Sequence, residues 1–185
     1  MAILKIAEIG NPLLRQVARP VPDDKVRSEA VQQLIDDMIE TMREYDGAGL
    51  AAPQVRHSVQ IVVYEATANP RYPEAPTISL TVLINPTATL LPGPPEGGWE
   101  GCLSIPEMRG IVPRARSVRV KALDRLGRPV DFTAEGFHAR VIQHETDHLQ
   151  GILFVDRMPD LKSLARLSEF HRYWMKPGEA EPAET

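Results

Sequence analysis

At 185 residues, 43% of them apolar and 25% charged, the chain can build one domain with a substantial core and needs no second one. A net charge of −4 and a pI near 5.8, with arginines scattered rather than clustered, exclude the basic surface that a nucleic-acid partner would demand. The apolar run at Met1–Glu8 is too short and too charged for a signal peptide, no other run approaches membrane-spanning length, and the single cysteine allows no internal disulfide, so the expected compartment is the cytoplasm.

In chain order, Gly10-Asn11-Pro12 and Ala18-Arg19-Pro20-Val21-Pro22 make an irregular lead-in held by prolines. Asp23 or Asp24 can cap a long amphipathic helix, in which Val26, Ala30, Leu34, Ile35, Met38, Ile39 and Met42 keep a helical period until Asp46-Gly47. The small-residue stretch Gly47–Gln54 reads as a helix-to-strand connection whose two glycines let a ligand approach the backbone. It has too few glycines, and no lysine after them, for a phosphate loop. Val59–Tyr64 is a β-branched strand, 67–76 an exposed loop, and Thr81–Pro86 a strand stopped by its proline. Pro92–Gly98 is rich in breakers and delivers a flexible lead into Trp99-Glu100-Gly101-Cys102. Val118–Ala122 and Val130–Ala134 alternate with period two around Asp124–Pro129 and predict an antiparallel hairpin. Ile152–Val155 suggests a short strand and Leu161–Phe170 a last helix. Residues 1–176 are expected to form the domain, with 177–185 a disordered tail.

Between the hairpin and that short strand stands Gln143-His144-Glu145-Thr146-Asp147-His148, which contains the H-E-x-x-H pattern. Phe137, Val141, Ile142 and Leu149 supply an apolar stripe, and Gly136 and Gly151 punctuate the ends of the predicted helix. Histidines four apart lie on one face, one turn apart, so both imidazoles can reach a single metal ion. Glu145 is turned about 100° aside, which suits a general base better than a ligand. A catalytic site needs a third protein ligand. The pattern with a third histidine six residues after His148 is excluded, because Phe154 stands there. Two candidates remain, Glu169 downstream and the lone Cys102 upstream.

GAGLAAPQ at 47–54, EGCLS at 100–104 and QHETDHLQG at 143–151, taken together, resemble the three motifs of peptide deformylases in order and spacing. The resemblance implies an α+β fold of a single domain, with antiparallel sheets packed around a central H-E-x-x-H helix, a long N-terminal helix and a C-terminal one. It implies Cys102, His144 and His148 as metal ligands, Glu145 as the acid/base, and the Gln54 amide and Leu103 backbone N–H as oxyanion donors. Fe2+ is the implied ion, with Ni2+, Co2+ or Zn2+ able to substitute, and N-formyl-methionyl nascent peptides near the ribosome exit are the implied partners. Ala48, Gly49 and Gly101 fall at peptide-binding positions, and Arg109 matches one that contacts the peptide backbone. Phe137, Arg140 and Val141 share a helix face with His144 and should line a methionine pocket, Arg140 by its stem. Ala48 departs from a usual isoleucine or valine, and Trp99 from a common acidic residue. GWEGCLS, Arg140 and the closing Tyr173-Trp174-Met175-Lys176 are similar to the mitochondrial-type branch, although no Arg/Ser-rich presequence stands at the N-terminus. His57, His138 and His171 read as structural or surface residues. The competing readings are an H-E-x-x-H peptidase with Glu169 as ligand and a non-catalytic metal or peptide-binding domain.

Overall fold

The lead-in begins with a 3-10 turn, Pro12–Arg15, because the Asn11 side chain accepts the Leu13 N–H at 3.0 Å. The structure is a computed structural model that describes residues 2–67 and 76–175; the loop expected at 67–76 lies, but for its ends, outside the described residues, and the tail 177–185 wholly so.

Helix α1 spans Glu29–Glu44 and is capped by Ser28, whose side chain accepts from the Val31 N–H. Asp23 and Asp24, the expected caps, instead start a separate 3-10 turn at Asp23–Lys25. The corner between turn and helix turns Val26 into the core, 1% exposed. Ile35, Met38 and Met42 are fully buried against Ile61 and Val63, each worth about 1.5–3 kcal/mol.

Gly47–Gln54 is more than a connection. Gly49–Ala51 forms a short strand, β1, and Ala52–Val55 a 3-10 turn. β2 runs Ile61–Ala66 and pairs antiparallel with β1, Leu50 opposite Val63. β3, Ile78–Leu90, passes straight through Pro86. The proline is tolerated because it sits in a register break between Ile84 and Thr87, where no ladder donor is needed. Asn85, at φ 53, turns its amide there to the Val21 backbone, donating and accepting at 2.8 Å.

The stretch read as a flexible lead is a strand as well: β4, Glu96–Cys102, pairs antiparallel with β5, Ile105–Arg114, Trp99 opposite Ile111. β5 escaped sequence reading because Glu107 (φ 60), Gly110 and Pro113 interrupt its alternation. The expected hairpin is present as β6, Ser117–Leu123, and β7, Pro129–Glu135, with Val120 opposite Phe132.

Helix α2 covers Gly136–Leu149. Ile152–Val155, expected as a strand, leads instead into a short helix, α3, Phe154–Arg157, because the Asp156 carboxylate accepts the Leu153 N–H at 2.8 Å. The last predicted helix begins later than its apolar pattern suggested: Ala165–Arg166 form β8 on the edge of β5, and α4 is Leu167–Tyr173.

The strands make a five-stranded antiparallel sheet in the order β1-β2-β3-β6-β7 and a three-stranded one in the order β4-β5-β8. α2 packs Ala139, Ile142 and Leu149 on Val62, Tyr64, Leu83, Val118 and Val120 of the larger sheet. Its other side meets β4, so the motif helix lies between the sheets in an α+β fold. Residues 15–18 cross its far end: the Ala18 N–H donates to Leu149 at 2.8 Å, and a Cβ on Gly151 (φ 72) would fall 2.6 Å from the Arg15 carbonyl carbon.

Candidate metal centre and cleft

Both histidines of the motif lie on one face of α2, their ring centroids 5.0 Å apart. Cys102 ends β4 and is 3% exposed, its Sγ 3.2 Å from His148 Nε2. One donor atom from each of Cys102, His144 and His148 lies within 4.8 Å of the others. Glu169, the competing ligand, is an exposed residue of α4 outside this group, so Cys102 is the residue that completes the set.

Burial pushes the Cys102 thiol up, but the charge and hydrogen bonds of His148 and His144 outweigh it and hold the thiol well below its ordinary range. A buried thiolate facing two imidazoles suits a borderline divalent cation. Backbone and side-chain donors support the sulfur: the Ser104 N–H at 3.4 Å and Gln54 Nε2 at 3.5 Å.

Glu145 is 4% exposed and its Oε2 has no hydrogen-bond partner; among the described residues His148 Nδ1 is the only other buried side-chain polar atom in that position. Burial pushes the Glu145 carboxyl up to about 7, against the pull of His144 and His148. A Cβ on Gly49 would fall 2.4 Å from Glu145 Oε1, so only glycine leaves room for this carboxylate.

The group that orients His144 was not visible in the sequence. Glu100 Oε2 lies 2.9 Å from His144 Nδ1, which leaves Nε2 free for a metal. Glu100 is itself held by Arg114 Nε at 2.9 Å and Nη2 at 3.0 Å, and by Arg140 Nη1 at 2.8 Å. Burial would raise its carboxyl, yet the His144 and Arg114 contacts outweigh that and depress it far below the usual carboxylate range. Arg114 bridges onward to Asp147 at 2.5 Å, and Asp147 to Arg157 at 2.7 Å. One buried charge network thus ties β4, β5 and α2 together. The only sequence signal for it was the spacing of Glu100, two residues before the cysteine and on alternate strand positions with it.

Beside the donors opens a cleft. Ala48, Gly49 and Gln54 line one side of it, Gly101 and Leu103 another, and Phe137, Arg140 and Val141 the helix side. Gln54 accepts the Ala51 N–H at 2.8 Å through Oε1, which fixes Nε2 toward Cys102 and Ser104. The Arg140 guanidinium is bound to the backbone carbonyls of Glu96 (2.6 Å) and Val112 (2.8 Å), so only its stem is offered to the cleft. Arg109 is 5% exposed and stands behind Gly101 rather than in the wall: a Cβ on Gly101 would fall 2.7 Å from its Nη1. Both departures from the family pattern, Ala48 and Trp99, face the cleft. His138 packs elsewhere, its Nε2 3.1 Å from the Tyr64 hydroxyl.

A family described as polypeptide deformylase matches residues 3–164. The chain is 48% identical over 160 residues to peptide deformylase 1 of Nitrosomonas europaea, covering 86% of this chain and 90% of that one. It is 46% identical over 158 residues to peptide deformylase 2 of Pseudomonas putida, covering 85% and 89%. Among solved structures, the Met-Ala-Ser-bound class I type b peptide deformylase of Acinetobacter baumannii superposes with a TM-score of 0.82 at 43% identity, covering 85% of this chain and 99% of that one. Fold, donor set and sequence agree, and the chain belongs to the polypeptide deformylase family.

Proposed function

We propose that residues 1–176 are one catalytic domain that removes the formyl group from the N-terminal methionine of newly made proteins and releases formate. The observation that carries this reading is the buried Cys102, His144 and His148 donor set with the unpartnered Glu145 Oε2 beside it. Fe2+ is the proposed resident ion because the resemblance to peptide deformylases implies it, whereas one thiolate and two imidazoles taken alone would favour Zn2+; Ni2+, Co2+ or Zn2+ can take its place. When bound there, the cation supplies a Lewis acid that polarises the formyl carbonyl and acidifies water.

The chain's own residues do the rest. Glu145 takes a proton from water at Oε2, the oxygen with no other partner, and returns it to the leaving amine nitrogen. Gln54 Nε2 and the Leu103 N–H donate to the carbonyl oxygen as negative charge grows on it; one such donor is worth about 3–4 kcal/mol of barrier. β1 and β4 are sheet edges that face each other across the cleft, so an extended peptide can run between them and bond to the backbone near Ala48, Gly49 and Gly101. Phe137, Val141 and the Arg140 stem then hold the methionine side chain. Arg109 backs Gly101 and keeps β4 in place for that pairing. We place the protein in the cytoplasm, near the ribosome exit, where formylated N-termini emerge.

The test is formate release from formyl-Met-Ala by the ferrous protein prepared without oxygen. Turnover of the formylated peptide supports the reading. Absence of formate sinks it, and cleavage of unformylated peptides would make the protein a peptidase.

A further inference from the structure

Both tryptophans of the chain and one of its four phenylalanines gather at the edge of the cleft. Trp99 lines the cleft from β4. β8 pairs with β5 and brings α4 over the outer face of the small sheet, so that Phe170 and Trp174, four residues apart, both meet Trp99. The Trp99 ring lies 4.8 Å from Phe170, edge-on, and 5.3 Å from Trp174. The Arg109 guanidinium stands 5.9 Å from the centre of the Phe170 ring and braces that ring in turn. Trp174 remains 54% exposed, so its ring is open to a side chain arriving along β4.

Strand alternation says which part of a substrate meets this surface. In β4, a Cβ on Gly98 would meet Arg140 of α2, and Glu100 reaches His144 on the same side. A Cβ on Gly101 would meet Arg109, so Trp99 and Gly101 face the opposite side, toward α4. A peptide added along the open edge of β4 sends its side chains to these two faces in turn. The methionine goes to the α2 face, where Phe137 and Val141 stand, and the next side chain therefore goes to the α4 face. Trp99 lies three residues up β4 from Cys102, about 10 Å, which is within reach of that second residue in an extended chain whose formyl group is at the donors.

We propose that Trp99 and Trp174 form an aromatic ledge for the side chain that follows the methionine, so that formyl-Met peptides with an aromatic second residue are the preferred substrates. This rests on the deformylase reading above. Phe170 is the positioning residue that holds the Trp99 ring upright.

The experiment compares kcat/KM for formate release from formyl-Met-Phe-Ala and formyl-Met-Ser-Ala, using the ferrous protein. An aromatic pair contributes enough for the wild-type ratio to favour phenylalanine by roughly 3- to 10-fold. Trp99→Ala should bring the ratio close to one, Trp99→Phe should keep most of it, and Trp174→Ala should give an intermediate value. If Trp99→Ala fails to fold, the wild-type ratio and the exposed Trp174→Ala variant still decide. A wild-type ratio near one, or a preference that survives in the alanine variants, overturns the ledge while leaving the deformylase reading intact. No formate from either peptide overturns both.

Discussion

Nδ1 of His144 lies 2.9 Å from Oε2 of Glu100, and this one contact sets the direction in which the imidazole presents its other nitrogen. Glu100→Ala removes that orientation and leaves Arg114, 5% exposed, short of its main partner. Metal affinity should fall about 10- to 100-fold, and the protein should lose about 3–5 kcal/mol of stability. Competition with a chromophoric chelator and a thermal melt measure the two effects. Unchanged metal affinity would show that His144 needs no such guide.

Cys102→Ala takes away the thiolate of the donor set. Most of the bound metal should be lost, and the Co2+-substituted wild type should show a sulfur-to-cobalt charge-transfer band that the variant lacks. Full metal content in the variant would remove Cys102 from the ligand set.

Glu145→Gln preserves the shape of the residue but not its ability to take a proton. The variant should bind close to one metal per chain, keep its circular dichroism spectrum, and lose activity by about 10²–10⁴-fold. Retention of more than about a tenth of the wild-type rate in the metallated variant would refute the proton-transfer role.

Gly49→Ala is a milder probe of the same carboxylate. The added methyl would sit 2.4 Å from Glu145 Oε1 and must displace it, because Gly49 is held in β1 opposite Tyr64. The rate of formate release should drop on the order of 10²-fold with metal content unchanged. A fully active Gly49→Ala enzyme would mean that Glu145 acts from some other position.

How much of this could be read from residue order depends on what kind of signal each part carries. α2 was legible because its histidines, its apolar stripe and the glycines at its ends all agree with one helix. The β6–β7 hairpin was legible for the same reason, its alternation meeting a turn at Asp124–Pro129. β4 and β5 were not. Gly98 and Gly101 are there because Arg140 and Arg109 pass within 3 Å of where a Cβ would be, a tertiary demand that looks like a loop in one dimension. Pro86 misled in the same way, since a proline that ends most strands is harmless at a bulge. The metal donors announced themselves through motif spacing, whereas Arg114 lies outside all three motifs, and Glu100 and Asp147, although inside the second and third, carry no rule that names their partners. Their significance comes from burial alone, which is a property of the folded chain.

The crossing of residues 15–18 over the end of α2 has a consequence for the order of assembly. The Arg15 contact to the Gly151 carbonyl spans 136 residues of chain. At ordinary synthesis rates that interval lasts on the order of ten seconds, during which the early segment can rest on Ser58–Gln60, whose Gln60 amide donates to the Ala18 carbonyl, but not on the end of α2. Cys102 waits in the same way for His148, 46 residues later. The donor set therefore comes into being only as the last third of the chain docks. A cation then meets a nearly finished protein rather than a flexible loop, and the energy of its capture is added to the stability of the whole fold.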